Sequence, residues 1–345
     1  MDVADINQLE LSMKETIVDF ADGLIAQLFP NLRYVEQYGV DDTLVYENEI
    51  PEYFYEDEDT KSIETLMALE EQQVSIIDPQ INLEKMGTTF SMEQLADVDF
   101  MRNNFYVVDS AAEILNSELK AENLLQKNMT IDISSTDYKV LIYHTHGSEA
   151  FADSREGVLE DTIIGVGDTL TEILETQYGI HVYHDRTVYD MVDGKLDRSY
   201  AYHLSKKGVQ KILEAHPSIE VIIDLHRDGV SEGTHLVTTI NGKPTAKVML
   251  LNGVSRFKKS GDISHLYNPY KEDNLAFSLQ LYLKGRELYA DFFRKIYIRS
   301  YCYNLNLMPK ATLVEAGAQT NTLEEMKNAM EPLATVLYQV LSGGK

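Results

Sequence analysis

The chain has 345 residues, 44% of them hydrophobic, which is enough to build one large or two ordinary globular domains. Its net charge of −26 argues against nucleic acid or an anionic membrane surface as the partner, because phosphate binding requires clustered lysine and arginine. The single cysteine, Cys302, excludes an internal disulfide and a cysteine-built metal site, so any metal must be held by histidine, aspartate or glutamate.

The acidic residues are concentrated in the first part of the chain. Residues 1–130 carry 28 acidic and 7 basic side chains (−21), which leaves 28 acidic and 23 basic (−5) of the total −26 for the rest. Apolar residues recur at helical spacing over 8–29. We therefore predict an acidic, mainly helical and partly flexible N-terminal region over 1–100, serving as a stalk or docking surface, and a second domain over 101–345. No run of eighteen apolar residues and no signal-peptide pattern occurs, so neither a membrane span nor an export signal is predicted.

Between residues 104 and 128, a short apolar strand precedes a predicted helix. Asp109 and Ser110 are both good helix N-caps, and apolar residues follow at helical spacing. We expect the helix to begin at one of these two residues and to turn four side chains inward: Ile114, Leu115, Leu119 and Leu125.

From residue 139 onward, strands alternate with helices. The strands are continuous apolar runs such as VLIY and VIID, which are typical of strands covered on both faces. The helices between them end at Gly179 and before Pro217, and the last one begins after Thr322 with Glu325 completing a capping box. The predicted fold is α/β, with a mostly parallel, mixed sheet and helices on both faces.

Three of the predicted strands end in polar side chains. The carboxyl ends of parallel strands meet at one edge of a sheet, which is where ligands bind in this fold class. The sequence thus predicts one cluster at that edge, formed by His144, His146 and Glu149 after VLIY, by Asp224, His226, Arg227 and Asp228 within and after VIID, and by Glu315 after ATLV.

Histidine and carboxylate are ligands that Zn²⁺ accepts, and a catalytic zinc takes three of them and leaves one position for water. His146 and Glu149 form a His-x-x-Glu pair on one short loop, and His226 supplies a third ligand from a later strand. Glu315 is then available as a base that takes a proton from the attacking water and returns one to the leaving amine.

Each of these residues also has a structural interpretation. His144 and His146 could be ordinary polar residues at a strand end, Glu149 could face solvent, and His226 could bond a neighbouring carbonyl. Glu315 is harder to explain in this way, because a carboxylate at the end of a buried strand needs partners.

The residues next to these candidate ligands have predicted supporting roles. Arg227 and Asp228 are expected to line the cleft and to contact either the substrate or the metal ligands. His144 is either an alternative ligand or a residue that orients the substrate. His184 lies on another strand and is expected at the edge of the core.

Several motifs occur in an order that resembles the stage II sporulation protein P family of endospore-forming bacteria. They are NFYVVD, VLIYHTHGSEAF, HDRTVYD, IDLHRDG and LVEAGAQTNTLEEM, and together they span about residues 100–340, whereas 1–95 contribute little. The resemblance implies a zinc amidase-like catalytic domain over 101–345. It implies cleavage of the amide between N-acetylmuramic acid and L-alanine in peptidoglycan, and an endopeptidase activity on stem-peptide cross-links is also attributed to the family.

The resemblance also assigns roles to particular residues. His146, His226 and Glu315 are similar to the first histidine, the second histidine and the catalytic glutamate of the wider amidase family, and Asn321 follows as that family's asparagine does. The remaining ligand is open between two patterns. Glu160 or Asp161 would match the amidases, whereas Glu149 matches the His-x-x-Glu pair of zinc carboxypeptidases and is favoured because its loop is short.

The same resemblance implies a place of action and a partner. Family members are usually held by an N-terminal membrane anchor, which this chain lacks, and act outside the cytoplasmic membrane, between mother cell and forespore during engulfment. Their implied partners are peptidoglycan, stage II sporulation protein D and the engulfment complex. Two alternatives to an amidase remain: a zinc carboxypeptidase or endopeptidase acting on the stem peptide, and a non-catalytic wall-binding scaffold.

Overall fold

The computed structural model describes residues 87–344, except 193 and 199. The predicted helix over 8–29 and most of the acidic N-terminal region therefore lie outside the described residues. The helices are α1 (Met92–Ala96), α2 (Val98–Phe105), α3 (Ala121–Gln126), α4 (Ile163–Tyr178), α5 (Ala201–Ala215), α6 (Lys271–Leu288) and α7 (Leu323–Leu341). The strands are β1 (Tyr106–Val108), β2 (Val140–Tyr143), β3 (Val182–His184), β4 (Met191–Val192), β5 (Lys195–Leu196), β6 (Val221–Asp228), β7 (Val237–Ile240), β8 (Lys243–Ala246), β9 (Val248–Gly253), β10 (Arg256–Phe257), β11 (Gly261–Asp262), β12 (Ile296–Arg299) and β13 (Lys310–Ala318).

The main sheet has seven strands in the order β1-β12-β9-β13-β6-β2-β3. Strands β13, β6, β2 and β3 run parallel to one another. Strands β9, β12 and β1 are also parallel to one another, but β9 is antiparallel to β13, so the sheet consists of two parallel halves of opposite direction. The predicted mixed, mostly parallel α/β sheet is confirmed, and the carboxyl ends of β2, β6 and β13 lie at one edge.

Both faces of the sheet are buried, which explains the continuous apolar strands. All four side chains of β2 are buried, as are the first six of β6. Because neighbouring side chains on a strand point to opposite faces, Leu141 and Ile142 enter two different cores, the latter together with side chains of α4, α6 and α7. Each aliphatic side chain buried in this way contributes roughly 1.5–3 kcal/mol to folding.

The predicted helix boundaries are largely confirmed. The side chain of Thr162 caps α4 by accepting a hydrogen bond from the backbone of Ile164, and α4 ends at Gly179, whose φ of 66° is a conformation that favours glycine. Thr322 and Glu325 form the predicted capping box at the start of α7.

The helix predicted to begin at Asp109 or Ser110 is wrong. Instead, Asp109 follows β1 and accepts hydrogen bonds from the backbone of Ala111 and the hydroxyl of Tyr297. A short 3-10 helix (Asn116–Leu119) and α3 come next, and Leu115, predicted to face inward, is exposed. The carboxylate that would have capped a helix is used by the sheet and by a tight turn, because Tyr297 on the neighbouring strand β12 reaches it.

The described residues before 101 pack on the same core as the rest. Leu95 and Phe105 are buried in the larger core, and the backbone of Thr88 donates a hydrogen bond of 2.7 Å to the carbonyl of Arg286. The domain boundary near residue 100 stays a prediction. None of the helices within 87–344 is both long and apolar enough to cross a membrane.

Candidate active site

The three strand ends identified in the sequence come together in the fold. Glu315 on β13 is the register partner of His226 on β6, and Asp224 is the register partner of Tyr143 at the end of β2. The loop that carries His146 begins directly after β2. The cluster expected at the carboxyl edge is therefore formed, because these three strands are adjacent and parallel.

His146, Glu149 and His226 lie side by side and are almost completely buried, with 6%, 4% and 2% of their surfaces exposed. Nδ1 of His226 is 3.6 Å from Oε2 of Glu149, and the two imidazole rings are 5.2 Å apart between centroids. The backbone N–H of Arg227 donates a hydrogen bond of 3.0 Å to the same Oε2. The carboxylate of Glu149 is thus held next to His226 by the β6 backbone itself.

The charges of this group depend on one another. Burial works against the charged form of Glu149, but the adjacent His226 lowers the pKa of this carboxyl to about 2. Burial also works to lower the pKa of His226, but Asp224 and Glu149 together raise it well above its ordinary value. In this arrangement, His226 carries the positive charge that balances the two carboxylates beside it.

Glu315 is in a different electrostatic state. Burial and the nearby negative charge of Asp228 raise the pKa of its carboxyl to about 8, although the charge of His226 works in the opposite direction. Its Oε2 is buried and has no hydrogen-bond partner among the described residues. A carboxyl group that exchanges its proton near neutral pH and has an unused oxygen is suited to general acid–base chemistry.

Two aspartates without a predicted role position the cluster. Asp224 lies 2.7 Å from Nε2 of His226 and accepts hydrogen bonds of 2.9 and 2.6 Å from the backbone and hydroxyl of Thr145. Asp190 accepts a hydrogen bond of 2.5 Å from the hydroxyl of Ser148. The Asp-x-His spacing on β6 could have identified Asp224, since both residues share one face of a strand, but no local pattern points to Asp190.

Arg227 and Asp228 are tied into the surrounding loops. The guanidinium of Arg227 donates hydrogen bonds to the carbonyls of Ala150 (3.0 Å) and Asp228 (3.1 Å). The Asp228 carboxylate is 2.7 Å from Nη1 of Arg294. These contacts fix the loop after β2 against the end of β6, and a contact of either residue with substrate stays a prediction.

His144 is completely buried and uses both ring nitrogens inside the fold. Nδ1 is 2.7 Å from the carbonyl oxygen of Leu225, and Nε2 is 2.8 Å from Nε2 of His184, which in turn bonds Asp168 at 3.1 Å. Burial lowers the pKa of His144 to about 3. This placement does not support the roles of metal ligand or substrate contact predicted for His144; it connects the end of β2 to β6 instead.

The other ligand candidates lie outside the cluster. The carboxylate of Asp161 forms a two-point ion pair with Arg155, with N–O distances of 2.6 and 2.9 Å, and Glu160 is exposed. Asn321 accepts a hydrogen bond from the backbone of Ala318 and donates one to a backbone carbonyl, so it holds the turn between β13 and α7. Of the three carboxylates considered for the remaining ligand, Glu149 is the one in contact with His226.

The donor atoms fit zinc in kind but are not arranged as a finished metal site. Within 87–344, no group of three or more His, Cys, Asp or Glu side chains meets the geometry needed to hold a metal ion. Two imidazoles and one carboxylate are nevertheless adjacent, and the unused oxygen of Glu315 is buried close by. Buried carboxylates need compensating positive charge, which a divalent cation would provide.

Comparison with protein families gives one extensive match. The family model for stage II sporulation protein P (SpoIIP) matches residues 43–338. A curated relative, stage II sporulation protein P of Bacillus subtilis (strain 168), is 26% identical over 244 residues, which is 66% of this chain and 57% of the relative. The chain thus spans somewhat more than half the length of that relative.

Part of the chain is similar to solved amidase structures. N-acetylmuramoyl-L-alanine amidase AmiC2 of Nostoc punctiforme has a TM-score of 0.37 at 18% identity, covering 59% of this chain and 96% of that one. The amidase Ami1 from Mycobacterium smegmatis has a TM-score of 0.37 at 14% identity, covering 63% and 98%. The CwlD amidase from Clostridioides difficile, solved in complex with the GerS lipoprotein, has a TM-score of 0.36 at 16% identity, covering 58% and 94%.

Proposed function

Because this chain belongs to the stage II sporulation protein P family, we propose that it is a zinc-dependent peptidoglycan hydrolase that cleaves the N-acetylmuramoyl-L-alanine amide. One observation carries the proposal: two histidines and a glutamate of the family's motifs lie side by side at the carboxyl edge of the sheet, next to Glu315. Nucleophilic attack on an amide requires activation of water and protonation of the leaving amine, and this group contains side chains suited to both.

His146, Glu149 and His226 are the proposed zinc ligands. Zinc bound there would act as a Lewis acid for the scissile carbonyl and would lower the pKa of a water molecule to about 7. The neighbouring residues set the positions of the ligands: Asp224 orients the ring of His226, and the backbone N–H of Arg227 fixes one oxygen of Glu149.

Glu315 is the proposed proton carrier. Its buried carboxyl group has an elevated pKa and an oxygen without a partner, so it can accept a proton from the attacking water and give one to the leaving nitrogen. General acid–base catalysis of this kind contributes about 10²- to 10⁴-fold to the rate. We therefore expect Glu315→Gln to retain the fold and to lose at least about a hundredfold in activity.

Digestion of cross-linked sacculi with the purified chain tests the proposal. We expect free lactyl ends and intact, still cross-linked stem peptides as products, and loss of both when a chelator removes the metal. Glu315→Gln serves as the matched control at equal zinc content. Separated cross-links with no free lactyl ends would instead identify an endopeptidase, and activity that is indifferent to chelator and to Glu315→Gln would contradict the proposed site.

The place of action belongs to the same proposal. The full-length protein is proposed to be membrane-anchored and to act outside the cytoplasmic membrane, between mother cell and forespore, in septal wall thinning during engulfment. Stage II sporulation protein D and the engulfment complex are the proposed partners. Purified stage II sporulation protein D should bind this chain in solution and increase its rate on sacculi, whereas an unchanged rate and no binding would contradict the partnership.

A further inference from the structure

A second polar group lies on the same face of the sheet as the candidate site. Arg299 is the last residue of β12, and its guanidinium carbon lies 5.4 Å from the ring centre of Tyr297 and 5.8 Å from that of Tyr303. Its Nε is 3.4 Å from Oδ2 of Asp109, and 18% of the side chain is exposed. The guanidinium is therefore stacked on aromatic rings and partly open to solvent.

Arg299 lacks the hydrogen bonds that a half-buried arginine normally makes. Its Nε is buried without a hydrogen-bond partner, and within 87–344 no hydrogen bond from either terminal nitrogen of its guanidinium is found. By contrast, Arg256 and Arg294 each approach a carboxylate to 2.7 Å. Unused donors in a partly desolvated position cost free energy, so an anionic ligand at Arg299 would recover it.

The strand registers show how Arg299 is placed relative to Glu315. Arg299 is the register partner of Gly253, and Leu251 is that of Leu313, so Arg299 lies level with Ala311, four residues before Glu315 and two strands away. Alternate residues share a face, which puts both side chains on the same face of the sheet. At about 3.3 Å per residue and about 4.8 Å between strands, their backbones are roughly 16 Å apart.

Aromatic side chains connect the two places. The ring of Tyr202 is 5.6 Å from that of His146 and 5.4 Å from that of Tyr303, which in turn lies against Arg299. A continuous run of rings thus leads from a proposed zinc ligand to the guanidinium. Such a surface suits an extended chain whose far end carries a negative charge.

We propose that Arg299 binds the terminal carboxylate of the stem peptide whose first amide is cleaved beside Glu315. The inference rests on the proposed function. An extended peptide spans at most about 3.3–3.6 Å per residue, so about five residues cover the 16 Å between the two places. The planar fork of arginine matches a carboxylate with two parallel hydrogen bonds, and a local cation is needed because the chain, at −26, repels anions.

The test compares ligands that differ only at the peptide terminus. N-acetylmuramoyl-pentapeptide and its C-terminal carboxamide are hydrolysed by the full chain with zinc, and KM and kcat are measured separately. We expect the wild type to have a KM about tenfold lower for the acid than for the amide at similar kcat, because the carboxylate lies far from the cleaved bond. Arg299→Met should raise KM for the acid to that for the amide and leave the amide unchanged.

Two controls separate this role from a structural one. Arg102→Met removes an arginine bonded to the backbone of Ile114, and it should leave the preference for the acid intact. N-acetylmuramoyl-dipeptide is too short to reach Arg299, so its acid and amide should have equal KM in the wild type. This second control needs no variant and keeps the test valid if Arg299→Met does not fold.

The outcomes distinguish the subsite from the proposed function. Hydrolysis of the pentapeptide acid and amide by the wild type with equal KM would overturn the subsite alone. An equal rise of KM for both ligands in Arg299→Met would also overturn it and would assign Arg299 a structural role. A wild type that cleaves neither ligand would overturn the proposed amidase function, and the subsite with it.

Discussion

The carboxyl group of Glu315 is the residue at which chemistry and stability are most clearly opposed. It is buried on β13, its Oε2 has no hydrogen-bond partner among the described residues, and its pKa is raised to about 8. Such a group would be selected against on stability grounds alone, because burial of an ionised carboxylate without a partner is costly. Its presence at the strand end is explained by proton transfer, as sequence analysis also predicted.

The pH dependence of stability follows from this raised pKa. The unfolded chain releases the Glu315 proton near pH 4.5, whereas the folded chain holds it up to about pH 8, so Glu315 makes the folded state progressively less stable between these values. In the metal-free protein, Glu315→Gln should therefore change stability little at pH 4 and should increase it by roughly 2–4 kcal/mol at pH 8.

Urea unfolding of both proteins in the presence of a chelator, at several pH values, measures this difference. A stability gap that does not grow with pH would show that the carboxyl group is not held in its neutral form by the fold. Glu324→Gln, on the first turn of α7, is a suitable control, and we expect no comparable trend for it.

His144 presents a second test at the scale of single residues. Its Nδ1 bonds the carbonyl of Leu225, directly before His226, and His144 itself lies two residues before His146. His144→Phe keeps a ring of similar shape but removes this bond, which should cost about 1–3 kcal/mol and loosen both proposed zinc ligands. We expect a lower affinity for zinc in competition with a chromophoric chelator, and unchanged affinity would contradict the positioning role.

At the scale of elements, helix α4 lies unusually close to the sheet because of one glycine. A Cβ added at Gly167 would lie only 2.7 Å from Nε2 of both His144 and His184. Alanine at this position would gain about 1 kcal/mol of helix propensity, but it would push apart two fully packed imidazoles. The steric cost is expected to exceed the gain.

Thermal unfolding of Gly167→Ala checks this balance. We expect a net loss of about 1–3 kcal/mol, seen as a lower Tm. Gly233→Ala is the matched control, because a Cβ there meets nothing within 4 Å and should leave the Tm nearly unchanged. A higher Tm for Gly167→Ala would mean that helix propensity outweighs the contact between α4 and the two histidines.

At the scale of the whole molecule, the reversal between β9 and β13 gives the sheet two carboxyl edges instead of one. The edge formed by β2, β6 and β13 carries the proposed active site. The opposite edge, where β1 and β12 end, carries Asp109 and Arg299. Because the two groups share a face of the sheet, one extended substrate can reach both, which a fully parallel sheet would not arrange.

The sequence determined the strands, most helix boundaries and the strand ends that meet at the proposed site. These features depend on local patterns: apolar runs, capping residues, and the rule that parallel strands present their carboxyl ends together. Tertiary structure alone decided the direction of β9, the partners of His144 and the placement of Arg299. Asp109 and Tyr297, for example, are 188 residues apart, and Leu225 is 81 residues from His144, so no local pattern could predict which side chains these polar atoms would meet.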